Sequence, residues 1–129
     1  MHPFRAAVEA RDGAALEALL AEDVVFTSPV AFKPYPGKAI TAAILRGVLR
    51  VFEDFEYVRE IGDGADHALV FTATVNGKRI HGCDFLHVNE DGLIDDLTVM
   101  VRPLSGAQAL AEAMGAQFDR IQQEALSSS

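Results

Sequence analysis

The stretch that decides the fold is NGKRIHGCDFLHVNEDGLI, residues 76–94, because it places two turn signals around one long segment. Asn76-Gly77 predicts a two-residue hairpin turn, since both central positions of that turn must tolerate positive φ. Residues 78–88 then predict a strand, and Glu90-Asp91-Gly92 predicts the next turn. The segment therefore indicates consecutive antiparallel strands joined by short turns.

Strand patterns continue on both sides of this segment. Before it, residues 69–75 place apolar side chains at every second position, and residues 55–61 alternate in the same way. Gly62-Asp63-Gly64 separates these two strands as a turn. After it, residues 93–102 predict the last strand, which ends at Pro103 because proline cannot donate to a sheet ladder.

The remaining segments are mainly helical. Apolar side chains recur at three- and four-residue spacing in four segments, each of which predicts a helix: residues 3–11, 16–20, 38–54 and 105–126. Residues 24–27 predict a strand that stops at Ser28-Pro29, and residues 29–37, with three prolines, predict an ordered loop. The order α-α-β-α-β-β-β-β-α, dominated by hairpins, indicates an α+β fold. We expect residues 1–129 to form a single domain, with residues 127–129 as a disordered tail.

Charge and composition exclude several classes of partner. The formal net charge is −8, and no run of lysine or arginine is present, so we expect neither nucleic acid nor a membrane as partner. Cys83 is the sole cysteine, which excludes an intramolecular disulfide and a C-x-x-C motif. The N-terminal MHPFRAAVEARDG lacks the apolar core of a signal peptide, so we expect a cytoplasmic protein.

Two motifs carry a resemblance to a known superfamily. LLAEDVVFTSPV, residues 19–30, leads into a loop whose Gly37 opens a helix, and the 76–94 segment places Asp84 in the second strand of its hairpin. With this element order, the chain resembles the nuclear-transport-factor-2-like superfamily, which includes ketosteroid isomerases, SnoaL-like polyketide cyclases and limonene-epoxide hydrolases. The resemblance implies a cone-shaped, strongly curved, mainly antiparallel sheet packed by N-terminal helices, with a C-terminal helix. It also implies a small, mainly apolar pocket on the concave face.

Applied to this chain, the resemblance implies a set of ligand-binding residues. The expected lining is Phe4, Phe26, Tyr35, Tyr57, Leu69, Phe71, Leu86, Val88, Leu97, Val99 and Val101. Asp84 faces the same side by parity, and burial among apolar groups raises a carboxyl pKa. Asp84 is therefore a candidate general acid or oxyanion donor, matching the oxyanion-hole aspartate of ketosteroid isomerase, which is a standard example of a carboxylic acid kept neutral. The alternative is an aspartate that accepts bonds from loop amides or pairs with an arginine.

Other positions depart from the catalytic patterns of the superfamily. Ser28 stands where ketosteroid isomerases carry their general-base aspartate, and Phe4 stands where their hydrogen-bonding tyrosine would fall. Val99 replaces the second aspartate of limonene-epoxide hydrolases. These departures weigh against both reactions and leave SnoaL-like cyclase chemistry open.

The histidines give a weaker signal. His81 and His87 lie on one strand and share the face opposite Asp84 by parity. A bulge could rotate His81 inward to act as a base, although a surface histidine fits the pattern better. The spacing of the histidines matches no zinc site, so we expect no metal and no cofactor.

Three functions stay open from the sequence. The first is a SnoaL-like binding protein for a small apolar or carbonyl-bearing molecule, without a defined activity. The second is an acid/base enzyme, polyketide cyclase-like or isomerase-like, in which Ser28 or His81 assists Asp84. The third is a protein-interaction module. The outer sheet face carries Val70, Thr72, Thr74, Cys83, Phe85 and His87, a composition that favours a homodimer over a solvated surface.

Overall fold

A computed structural model describes residues 2–128 of the chain. Its helices are α1 Pro3–Glu9, α2 Gly13–Ala18, α3 Lys38–Val51 and α4 Leu104–Ser128. Its strands are β1 Leu20–Thr27, β2 Tyr35–Pro36, β3 Glu53–Asp63, β4 Asp66–Val75, β5 Lys78–Val88 and β6 Ile94–Arg102. The predicted α+β class is confirmed, with N-terminal helices, one curved sheet and a C-terminal helix.

The six strands form one sheet in the order β2-β1-β6-β5-β4-β3. The pairs β3·β4, β4·β5 and β5·β6 are antiparallel, whereas β1 lies parallel to β6. Register shifts interrupt β3 against β4 between Glu53 and Glu56 and between Tyr57 and Arg59. Because such irregularities bend a strand and increase its twist, they curve the sheet at its β3 edge.

Local sequence explains the main turns. Asn76 and Gly77 have φ values of 49° and 78°, so the hairpin between β4 and β5 has the geometry that its sequence predicts. Asp12 caps α2 by accepting a bond of 3.0 Å from the amide of Ala15. Gly37, with φ of 110°, opens α3 in a conformation that L side chains rarely adopt.

The core lies between the concave face of the sheet and helices α3 and α4. Inward side chains of β4 are almost completely buried, as their alternation predicts: Leu69, Phe71, Ala73 and Val75. Helix α4 packs closely on α3 at Gly47, where a Cβ atom would lie 2.8 Å from Cδ1 of Ile121. Helix α4 also contacts β4, β5 and β6, so the C-terminal helix lies over the sheet as well as against α3.

The structure differs from the sequence predictions at several boundaries. Helix α3 ends at Val51, so the last two residues of the predicted helix 38–54 begin strand β3 instead. β1 begins at Leu20, the last residue of the predicted helix 16–20, because Leu20 pairs with Ile94 of β6. The two-residue strand β2 lies in the proline-rich loop and pairs with Val25 and Phe26. Helix α4 continues through Ser128 instead of ending at residue 126, and Ser129 lies outside the described residues. Within residues 2–128 no helix is both long and apolar enough to span a membrane.

Candidate functional site

A cavity of about 290 Å³ lies between the concave sheet face, α1, α3, α4 and the loop after β1. Its size is near the lower end of the range for small-molecule sites, about 300–1,000 Å³. The chain has eight phenylalanines and two tyrosines, and all but two of these rings reach the wall: Phe4, Phe26, Tyr35, Phe52, Phe55, Tyr57, Phe71 and Phe118. The cavity wall is therefore mainly apolar and rich in aromatic rings.

Helix α4 supplies one wall of the cavity. Its cavity-facing side chains recur at three- and four-residue spacing: Leu110, Met114, Phe118 and Ile121. The sequence shows this apolar stripe, but the stripe alone does not say which surface the helix covers. These residues were therefore absent from the expected lining.

An aromatic cluster forms the β3–β4 side of the cavity. The ring of Phe55 stacks on Phe71 with centroids 5.0 Å apart, and the edge of Tyr57 meets Phe55 at 4.8 Å. Gly82 makes room for this cluster, since a Cβ atom there would lie 2.5 Å from Cζ of Phe71. A larger residue at position 82 would displace the ring from the wall.

Asp84 lies within this apolar wall. It is 8% exposed, and the hydroxyl of Tyr57 donates to its Oδ2 at 2.8 Å. Burial raises the pKa of Asp84 to about 7, and the hydrogen bond from Tyr57 partly opposes the rise. Burial, followed by the negative charge of Asp84, raises the pKa of Tyr57 above its usual value. Near pH 7 the protonated and ionised forms of Asp84 are therefore both populated.

Two further charged residues reach the cavity wall, Glu9 and Arg11. Arg5 holds Glu9 through an ion pair of 3.4 Å, contacts Glu60 at 3.3 Å and places its Cζ atom 5.7 Å from the centroid of Tyr57. Arg11, with φ of 53°, donates to the carbonyl oxygens of Leu49 and Phe52 at the end of α3. Sequence reasoning missed both residues, because helix periodicity marks apolar positions and does not single out polar ones at a cavity mouth.

The structure brings together most of the predicted site residues. Those on the cavity wall are Phe4, Phe26, Ser28, Tyr35, Tyr57, Phe71, Asp84 and Val99. The expected lining needs correction at five positions, which pack in or against the core and not on the wall: Leu69, Leu86, Val88, Leu97 and Val101. Strand alternation identified their inward face correctly, but α3 and α4 cover that face except where the cavity opens.

The two weaker catalytic candidates occupy different places. Ser28 lies on the cavity wall, and its hydroxyl accepts a bond of 3.1 Å from the amide of Val30, as in a local turn. His81 is exposed on the convex face, and the continuous register of β4 with β5 contains no bulge that would turn it inward. The interpretation of His81 as a base to Asp84 is therefore corrected.

The convex face has a different composition. His87 contacts Asp95 at 2.6 Å, and this hydrogen bond raises the pKa of the exposed imidazole. Phe85 and Met100 are 41% and 59% exposed. Among residues 2–128, no three histidine, cysteine, aspartate or glutamate side chains converge closely enough to hold a metal ion.

The fold and the site together define the class of protein: a curved sheet with helices on its concave face and a cavity between them. The chain belongs to the SnoaL-like domain family, whose model matches residues 2–97, within the nuclear-transport-factor-2-like superfamily.

Solved structures agree with this assignment. The chain is 42% identical to a steroid delta-isomerase from Pseudomonas aeruginosa, with a TM-score of 0.87, covering 93% of this chain and 89% of that one. It is 40% identical to a bacterial protein with a cystatin-like fold from Silicibacter pomeroyi, with a TM-score of 0.85, covering 91% of this chain and 86% of that one. No curated protein matches the chain.

Proposed function

We propose that the chain binds a small, mainly apolar molecule that carries one hydrogen-bonding oxygen, and that this oxygen contacts Asp84. The observation that carries this proposal is a buried carboxyl group, Asp84, in a mainly apolar cavity wall. Pockets for small molecules combine apolar walls with a few polar groups that fix the orientation of the ligand. Membership of the SnoaL-like family supports a ligand-binding role.

The hydrogen bonds of Asp84 define the group that it can recognise. Oδ2 accepts from Tyr57, and no bond to Oδ1 is present among residues 2–128. When Asp84 is neutral, its proton is available to a carbonyl oxygen of the ligand. When Asp84 is ionised, it accepts instead, so a hydroxyl group would be preferred at higher pH.

Binding is tested with Nile red, a neutral dye whose fluorescence rises in apolar surroundings. We expect saturable binding to the wild-type protein. Ala111→Trp, at the cavity wall on α4, should weaken it by at least about tenfold, because the indole fills the space. Ala116→Trp, on an exposed position of the same helix, is the matched control and should bind as wild type. Non-saturable fluorescence, or equal affinities of the two variants, would contradict the proposal.

A second candidate function is isomerisation of a hydrophobic β,γ-unsaturated ketone. Two observations favour it: the 42% identity to a steroid delta-isomerase, and the Tyr57–Asp84 pair on the cavity wall. A neutral carboxyl group can donate to the developing enolate oxygen. We expect the wild type to convert a β,γ-unsaturated steroid ketone into its conjugated isomer, measured by the ultraviolet absorbance of the product. Asp84→Asn should reduce this turnover while Nile red still binds, and unchanged turnover would remove Asp84 from the reaction.

We also propose that the convex face joins two copies of the chain. Phe85 and Met100 expose large apolar side chains there, beside Thr98 and Cys83, their register partners on the neighbouring strands. A self-complementary apolar sheet face suits an isologous dimer. A cytoplasmic location stays a prediction from the sequence.

A further inference from the structure

We propose that two copies of the chain join through the convex face with their strands antiparallel, so that Asp96 of each copy faces Arg102 of the other. The inference rests on the proposed dimer and goes beyond it, because it fixes how the second copy is oriented. Such a dimer contains the pair of Asp96 with Arg102 twice, once on each side of its two-fold axis.

The convex side chains of the central strands form rows across the sheet. The register gives four successive rows on β4, β5 and β6: Asp66-His87-Asp96, Ala68-Phe85-Thr98, Val70-Cys83-Met100 and Thr72-His81-Arg102. The first row is acidic, with Asp66 and Asp96 exposed on either side of His87. The two middle rows carry no charged side chain, and the fourth row ends at the exposed Arg102. The face thus has an acidic end, an apolar centre and a basic end.

The charges at the two ends have no ionic partner within the chain. Arg79, one row beyond Arg102, donates to the hydroxyls of two threonines of β4 at 3.1 and 2.9 Å, which lays its guanidinium across the convex face. Within residues 2–128 neither arginine forms an ion pair. Asp96 accepts a bond of 3.0 Å from Thr98 and, in the same part of the chain, has no arginine or lysine at ion-pair distance. Opposite charges on one face are therefore available to a second copy.

The direction of the two-fold axis decides which ends of the face meet. Two sheets that stack face to face as an isologous pair are related by an axis in the plane between them. An axis along the strands would place the acidic end of one copy over the acidic end of the other. An axis across the strands reverses their direction, so the acidic row lies over the basic row. When this axis passes between the two middle rows, Asp96 and Arg102, both on β6, face each other.

The net charge of the chain favours the antiparallel arrangement. Each copy has a formal net charge of −8, so two copies repel each other at long range. Stacking like ends would add to this repulsion, whereas stacking unlike ends offsets it locally. Glu53 and Glu56 reduce the positive charge of the basic end, but they lie on β3, at the edge of the sheet. Two convex faces touch at their central strands and curve apart towards their edges, so these glutamates lie away from the contact.

The test measures the dimer dissociation constant of charge-reversal variants by sedimentation velocity. We expect Asp96→Lys and Arg102→Asp each to raise Kd by about tenfold or more, because each reversal turns two attractive pairs into repulsive ones. The double variant Asp96→Lys/Arg102→Asp should return Kd to within about threefold of the wild-type value, since it restores both pairs with the net charge unchanged. An equimolar mixture of the two single variants should form the mixed dimer for the same reason.

Asp119→Lys is the matched control. It makes the same change of net charge as Asp96→Lys at an exposed position of α4, on the concave side of the sheet, and should dimerise as wild type. A wild-type dimer that Phe85→Lys disrupts, but whose Kd neither reversal raises, would overturn the antiparallel arrangement and leave the convex-face dimer standing. A double variant as weak as the single variants would overturn it in the same way. A wild-type protein that stays monomeric at every concentration would instead contradict the dimer itself.

Discussion

The two faces of β5 place neighbouring residues in opposite surroundings. The concave face carries Ile80, Gly82, Asp84 and Leu86, all buried, while the convex face exposes His81, Phe85 and His87. Each face holds a titratable group with a raised pKa, but the causes differ. Burial raises the pKa of Asp84, whereas a hydrogen bond that the exposed His87 imidazole donates to Asp95 raises the pKa of His87. A pKa shift caused by burial changes the folding free energy strongly. A pKa shift caused by an exposed partner changes it less, because water screens the interaction.

The largest expected effect compares one phenylalanine from each face. Phe71→Ala should lower the free energy of unfolding by about 3–5 kcal/mol, because Phe71 is 1% exposed and its loss leaves a void beside Phe55. Phe85→Ala, at 41% exposure, should change it by no more than about 0.5 kcal/mol. Urea denaturation at low protein concentration measures both. Equal losses would show that the convex face is packed as tightly as the concave one.

The next effect is the dependence of stability on pH. The pKa of Asp84 is about 7 in the folded chain and 3.8 for an ordinary aspartate. Between these values the folded chain holds one more proton than the unfolded chain, so stability falls as pH rises across this window. The total fall is on the order of 4 kcal/mol. Asp84→Asn should remove it, and parallel curves for wild type and variant between pH 4 and 8 would contradict the buried carboxyl.

His87→Gln is the matched control for that measurement. The folded pKa of His87 lies above its ordinary 6.5, so its contribution is present below pH 6.5 and is lost as pH rises through the folded value. The variant should therefore keep the fall in stability between pH 4 and 6. A changed slope in that lower range would mean that the two groups are coupled across the strand.

A smaller effect isolates the hydrogen bond to Asp84. Tyr57→Phe removes the donor at 2.8 Å and should cost about 1–2 kcal/mol, because the buried carboxyl loses its partner. Since that bond lowers the pKa of Asp84, the variant should raise it further. The carboxyl carbon of Asp84, followed by NMR through a pH titration, reports the shift. A lower pKa of Asp84 in the variant would contradict this prediction, because it would mean that the bond from Tyr57 raises that pKa.

Phe85→Lys should have the smallest effect on stability, although it should change the assembly of the protein. The charge should be tolerated by the folded monomer, with a change of no more than about 0.5 kcal/mol, because the side chain is already partly exposed. If the convex face joins two copies, multi-angle light scattering should show a dimer for wild type and a monomer for the variant. A wild-type dimer that persists in Phe85→Lys would place the interface elsewhere.

Local rules predicted the parts of the molecule that depend on local signals. The Asn76-Gly77 turn, the antiparallel strands around it and the inward direction of Asp84 follow from turn geometry and from the two-residue period of strands. The strand start at Leu20 and the short β2 could not be predicted in this way, because both form by pairing with distant segments.

The same distinction applies to the site. Parity identified the face of Leu69, Leu86 and Leu97, but the extent of the cavity depends on how the helices lie across the sheet. The hydrogen bond from Tyr57 to Asp84 joins residues 27 positions apart. Glu9 reaches the cavity wall only because α1 lies beside the cavity. These relations arise from tertiary packing, which a single sequence pattern does not encode.

Helix α4 starts at Leu104, beyond the matched residues 2–97, yet it supplies one wall of the cavity. The matched residues supply most of the cavity wall, and α4 adds a further part of it from outside the matched range. Exchanging residues 104–128 for another sequence of equal helical character would alter what the cavity admits and leave Asp84 and Tyr57 in place. Ligand choice in this molecule can accordingly be redesigned from its C-terminal fifth without rebuilding the strands beneath.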